Sequence, residues 1–151
     1  MQIRPFNLDP TDGRITPADY AILAPWWEAR GGQAPGRCMF PTLGFIATEH
    51  ETPLATASAY LDATGSGVAQ LAYAATNPEL CTILRARALM AILDFLVPHI
   101  RSLGYWLVNA SFHHPDILRV LKRRHFIAAE TGMENLYLNL DTHPWDSAQS
   151  V

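Results

Sequence analysis

Apolar and polar positions change period several times along the chain, and each change marks an element. Residues 2–6 read as a short first strand, which Pro5 confines to an edge or an end because it lacks a ladder donor. Residues 7–14 are a polar loop. Thr16-Pro17-Ala18-Asp19 then opens a helix: Thr16 can cap, Pro17 suits the first helical position, and Asp19 favours the positive end of the dipole. Tyr20, Leu23, Ala24 and Trp27 follow at helical spacing until Gly31-Gly32 stops the pattern. A loop rich in Pro and Gly over 33–41 leads to extended runs at 43–49, 54–61 and 68–76. Short turns join them, at His50-Glu51-Thr52-Pro53 and over 62–67, so the three read as an antiparallel meander.

Asn77-Pro78-Glu79 has the form of a helix start, with a cap, a proline and an acid, and the helix it predicts runs to about residue 103. That helix is apolar on nearly every side and should pack centrally. Pro98 should kink or divide it, and Gly104 should end it. A strand over 105–112, a helix over 115–124 and strands over 126–130 and 134–140 follow. The order β-α-β-β-β-α-β-α-β-β predicts an α/β (α+β) fold, a mixed sheet with helices on its faces. Residues 1–140 read as one domain and 141–151 as a loosely ordered tail.

Composition narrows the function classes. A formal net charge of −3 gives no global basic field to collect nucleic acid. The longest apolar stretch, residues 83–97, carries Arg85, Arg87 and Asp94 and does not read as a membrane span. The N-terminus lacks the apolar centre of a signal peptide, which predicts a cytoplasmic protein. Cys38 and Cys81 are the only cysteines, expected as reduced and mostly buried thiols.

The element order, the Asn77-Pro78 junction and the pattern Asn109 … His125-Phe126 together resemble the GNAT superfamily of acetyl-CoA-dependent N-acyltransferases, over nearly the whole chain. Trp26-Trp27 and Pro41-Thr-Leu-Gly44 look like features of small phage and prophage members. The resemblance implies a mostly antiparallel sheet of six to seven strands with helices on both faces. It also implies a bulge on the fourth strand, with a splay between the strands ending near Thr76 and starting near Tyr105. Pantetheine would lie along Ala74, Ala75 and Thr76, with a backbone N–H near Ala74 or Ala75 polarising the thioester carbonyl. Thr82, Leu84, Arg85, Ala86 and Arg87 would face the pyrophosphate at a helix N-terminus, and Asn109 would contribute to the cofactor site. The family's phosphate-loop pattern is Pro-x-x-[Arg/Gln]-x-x-Gly-x-[Gly/Ala]-x-x-Leu. Here Cys81 stands for the Arg or Gln and Leu84 for the first Gly, while Ala86 and Leu89 match. Leu121 replaces the usual tyrosine acid, and Ala72 a frequent glutamate.

Other residues invite chemistry. Tyr73 could protonate a leaving thiolate, or be a core aromatic on an alternating strand; Tyr60 and Tyr137 share that ambiguity. His113 or His114 could act as base toward an amine, against the plainer reading of a polar turn. Adjacent histidines such as His113-His114, even with His125 and His143 near, do not suit one metal ion, and no metal is expected. Arg85 and Arg87 point about 200° apart on a regular helix, so one of them is expected to meet a phosphate, or both are surface charges. Thr82 could instead cap a helix that starts late, after a phosphate loop. Arg119, Lys122, Arg123, Arg124 and His125 form a basic run above Ile117, Leu118 and Leu121, either solvated or set against a CoA phosphate or an acidic partner. Of Trp26 and Trp27, one should be buried; the other either lines an acceptor pocket or packs under the proline loop. Two functions fit. One is transfer of an acetyl group from acetyl-CoA to a small-molecule or peptide amine. The other is a GNAT-fold binding protein without catalysis, a phage-encoded interaction partner or a homodimer paired through the apolar C-terminal strands.

Overall fold

In the computed structural model, which describes residues 1–112 and 114–127, five strands form one sheet in the order β1-β2-β3-β4-β5. These are β1 (Gln2–Pro5), β2 (Leu43–Glu49), β3 (Thr52–Leu61), β4 (Val68–Thr76) and β5 (Leu107–Ala110). The first three pairings are antiparallel, as the meander pattern requires, and only β4 with β5 is parallel. The class and the mixed sheet are those expected. The expected strands over 126–130 and 134–140 lie largely or wholly outside the described residues, as does the tail; Phe126 and Ile127, which are described, are not in a strand.

Strand alternation sends side chains to two cores. Phe45, Ala47, Ala55, Ala57, Ala59, Ala69 and Leu71 pack beneath α2 (Thr82–Ser102), whose Leu89, Ile92, Leu96 and Ile100 face them. Ile46 and Ala75 turn to the other face, where Leu23 and Trp26 of α1 (Pro17–Glu28) join Phe6, Ile15 and Phe40. The alanines on the α2 side let an apolar helix sit close to the sheet. Gly44 serves the other face: a Cβ there would lie 1.9 Å from the Phe6 ring.

Helix α1 starts as read, with Thr16 accepting from the Asp19 N–H. Asp19 does more than complement the dipole. It is buried, takes both guanidinium nitrogens of Arg4 at 2.7 and 2.9 Å, and accepts the Asn7 N–H at 2.8 Å.

Helix α2 corrects the sequence reading. It begins at Thr82 with Cys81 at the cap position, not at Asn77-Pro78. Asn77 is still tied to the sheet: its N–H donates to the Leu54 carbonyl and its Nδ2 to that of Pro53. Its Oδ1 accepts from Glu79 N, closing an Asx turn instead of capping a helix. Nor does Pro98 divide α2, which runs through it to Ser102. Proline there leaves the Asp94 carbonyl without an amide donor, but Asp94 and Pro98 both lie on the exposed face, where water replaces it. Gly104, at φ +94°, turns the chain after the helix as expected. Both cysteines are free, as expected, but exposed instead of buried: Cys38 lies in the short turn Arg37–Met39 and Cys81 at the end of the β4–α2 loop.

Candidate functional site

Strand β4 outruns its neighbour. The parallel ladder pairs Val68 with Leu107 through Leu71 with Ala110, and from Ala72 to Thr76 β4 has no β5 partner. On the other edge the register slips between Thr56 and Ser58, so Ala57 faces both Tyr73 and Ala74. This is a β-bulge, and Tyr73 carries it at φ +49°, a conformation an aromatic residue rarely adopts. Ser58 Oγ donates to the Ala72 carbonyl at 2.9 Å beside it. The bulge breaks alternation. Leu71 and Ala74 pack toward α2, while Tyr73 goes to the α1 face, tilted against Phe40 at 5.1 Å and edge-on to Tyr60 at 6.2 Å. The bulge on the fourth strand is as expected, and Tyr73 packs against the α1-side core as the core-aromatic reading has it, but it is half-buried at a strained corner, not at a regular alternating position. The Tyr60 hydroxyl donates to the Met39 carbonyl, and desolvation, then the neighbouring Tyr73, push its phenol well above the usual range.

A cavity of about 450 Å³ opens where the ladder stops, between the first turns of α2 and α3 (Pro115–Arg123). Thr76, Thr82, Ala86 and Leu89 form part of its wall, and Ile117 and Val120 supply an apolar floor from α3. Its charge is one-sided: Arg30, Arg85, Arg87, Arg119 and Arg123 face it with one carboxylate, Asp116. Arg119 is paired with Asp116 at 3.0 Å; the other four arginines have no salt bridge among the described residues. Among the described residues no side chain caps the α2 N-terminus, whose leading N–H groups have no side-chain acceptor there.

Of the residues expected at the cofactor, Thr76, Thr82, Arg85, Ala86 and Arg87 line this cavity. The late helix start is what brings them there. Arg85 and Arg87 both reach the cavity, although they leave the helix in different directions. Ala74 and Ala75 are buried in the two cores and do not line it. Leu84 does not line it either: it is half-buried and packs on the α2 core. Asn109 sits opposite Gln70 on β5, away from the cavity, with its side chain on the Ala110 N–H. His114 lines the cavity as the cap of α3, its Nδ1 accepting from Asp116 N at 3.3 Å. His113, His143 and Tyr137 lie outside the described residues.

The basic run divides. Arg119 and Arg123 face the cavity, Arg124 pairs with Asp94, and Lys122 is exposed. Val120, not Leu118, completes the buried face with Ile117 and Leu121. Trp26 is buried, and Trp27 packs edge-on against Phe40 at 5.6 Å, under the proline loop. Sequence reasoning missed Arg30. It follows α1 and reaches across to donate to the backbone carbonyl and the hydroxyl of Thr76. Desolvation and the nearby Arg85 charge lower its pKa, with Asp116 acting in the opposite direction. No local pattern marks that contact. Among the described residues, no helix is long and apolar enough to cross a membrane.

No protein-family profile and no curated protein matches the chain. Solved structures do. The protein TTHA1254 from Thermus thermophilus superposes with a TM-score of 0.65 at 18% identity, over 92% of this chain and 98% of that one. A putative acetyltransferase from Agrobacterium tumefaciens scores 0.59 at 15% identity, over 91% and 100%. A probable acetyltransferase from meticillin-resistant Staphylococcus aureus scores 0.61 at 12% identity, over 91% and 98%. The sheet, its bulged and outrunning fourth strand and the helices on its two faces thus make up a GNAT-like fold.

Proposed function

We propose that the protein transfers an acetyl group from acetyl-CoA to an amine. The observation that carries this reading is the arginine-rich cavity at the point where β4 leaves β5. Its donors suit a diphosphate: guanidiniums, an uncapped helix N-terminus and the Thr82 hydroxyl. The edge of β4 from Ala72 to Thr76, which has no partner strand on the β5 side among the described residues, would receive the pantetheine amides as an added strand. The amine nitrogen would form a bond to the thioester carbonyl carbon as the carbon–sulfur bond breaks. The amine loses a proton, and the departing sulfur leaves as the thiol. Tyr73, at the bulge, is the candidate proton donor, and His114 at the cavity the candidate base.

The placement of Leu84 favours this reading over that of a binding protein, because the lost glycine leaves the cavity open. Calorimetric titration with acetyl-CoA tests it directly. Saturable binding is expected, and no heat at millimolar ligand would sink the proposal. With an accepted amine in hand, Tyr73→Phe should lower kcat roughly 10²- to 10⁴-fold with KM little changed if the phenol protonates the thiolate.

A further inference from the structure

The geometry points to Arg30 and Arg85 as a two-armed clamp for a diphosphate, reaching it from two different elements of the fold. The inference rests on the acetyl-CoA reading but assigns a residue outside the helix-start loop that the resemblance implicates. Arg30 arrives from the end of α1, on the far side of the sheet from α2, and its NH2 is held by the Thr76 carbonyl and hydroxyl. Arg85 comes from the first turn of α2, with one NH2 contact to Thr82 Oγ1 at 3.2 Å. Its Nε is buried and has no hydrogen-bond partner among the described residues. Each guanidinium keeps donors in hand, because a fork has five and the contacts use few. Neither has a salt-bridge partner among the described residues, and the Arg85 charge helps to lower the Arg30 pKa. Two cations facing one apolar-floored cavity repel until an anion lies between them. Side-chain donors from two elements thus supply what a glycine-rich backbone cradle would supply from one.

The test uses the full chain, titrated with inorganic pyrophosphate, ADP, adenosine 3′-monophosphate and acetyl-CoA. Arg30→Gln and Arg85→Gln should each weaken pyrophosphate and ADP by roughly tenfold or more, and leave adenosine 3′-monophosphate unchanged. Undiminished pyrophosphate binding in Arg30→Gln would overturn the clamp, as would a loss confined to the 3′-monophosphate. If the unaltered protein binds acetyl-CoA but shows no dependence on Arg30, the clamp fails and the acetyl-CoA reading stands. If it binds pyrophosphate through both arginines but never releases thiol from acetyl-CoA, the clamp stands alone. Should Arg30→Gln unfold, Arg30→Lys decides: it keeps charge and reach but not the fork, so weaker pyrophosphate binding supports the clamp and unchanged binding refutes it.

Discussion

Asp19 sits in the first turn of α1, where an acid could simply point to water, yet its side chain is only 3% exposed and is locked to Arg4. Desolvation alone would raise its pKa. The Arg4 and Asn7 hydrogen bonds outweigh that and hold it below the usual carboxylate range. A carboxyl with a lowered folded pKa adds stability above its unfolded value, about 3.9, and loses it as pH falls through the folded value. Asp19→Asn should therefore cost about 2 kcal/mol at pH 7, a figure kept low because Arg4 is partly solvated. The cost should shrink as unfolding is measured at successively lower pH below about 4. At Gly44 the constraint is steric. Gly44→Ala should destabilise by about 1–3 kcal/mol, because the methyl enters the space of the buried Phe6 ring. Chemical denaturation of Gly44→Ala and of the double variant with Phe6→Leu should show the penalty partly relieved in the pair.

Elements show where sequence patterns suffice and where they do not. The meander, α1 with its Thr16 cap, and the α3 amphipathic face were legible because each rests on contacts within a few residues or on a clean period. The start of α2 was not. Asn-Pro-Glu satisfies a local rule, but the bonds from Asn77 to Leu54 and Pro53 come from a strand more than twenty positions earlier. The same shift explains the site: once the helix begins at Thr82, Thr82, Arg85 and Arg87 move to the cavity and Leu84 turns inward. Leu84→Gly, which restores the residue type of the family pattern, should then cost about 2–4 kcal/mol in stability from lost packing and helix propensity. It should leave acetyl-CoA affinity within a factor of two or so, since no added room is made at the cavity. A clear gain in affinity, read by calorimetry, would show that Leu84 does obstruct the site.

At the scale of the whole molecule, the site depends on convergence. Arg30, Thr76, Arg85 and Asp116 come from α1's end, β4, α2 and α3, and only the closed fold brings them to one cavity. That is why four of the five cavity arginines stood out in the sequence as helix charges, while Arg30 did not. The net charge of −3 also hid this: a neutral-to-acidic chain concentrates arginine locally on one face. Ligand binding there should weaken as salt rises from about 50 to 500 mM, more steeply than burial of an apolar group would allow. A salt-independent affinity would move the weight from the arginines to the apolar floor.

The four-rung ladder between β4 and β5 has a consequence for motion. Among the described residues, it ties β5 and α3 to the sheet by a short stretch of pairing, with the bonds of Trp106 and Leu107 to Gly67 and the α2–α3 packing as further attachments. The wall of the cavity that carries Asp116, Arg119 and Arg123 thus rests on fewer strand pairs than the β2–β3–β4 meander does. In hydrogen exchange, the amides of Leu107–Ala110 and α3 should open sooner than those of β3, and slow when the cavity is filled. Loading a ligand would then fasten a leaf of the protein as well as occupy a pocket. Part of its binding energy would go into that closing, and release would wait on the leaf.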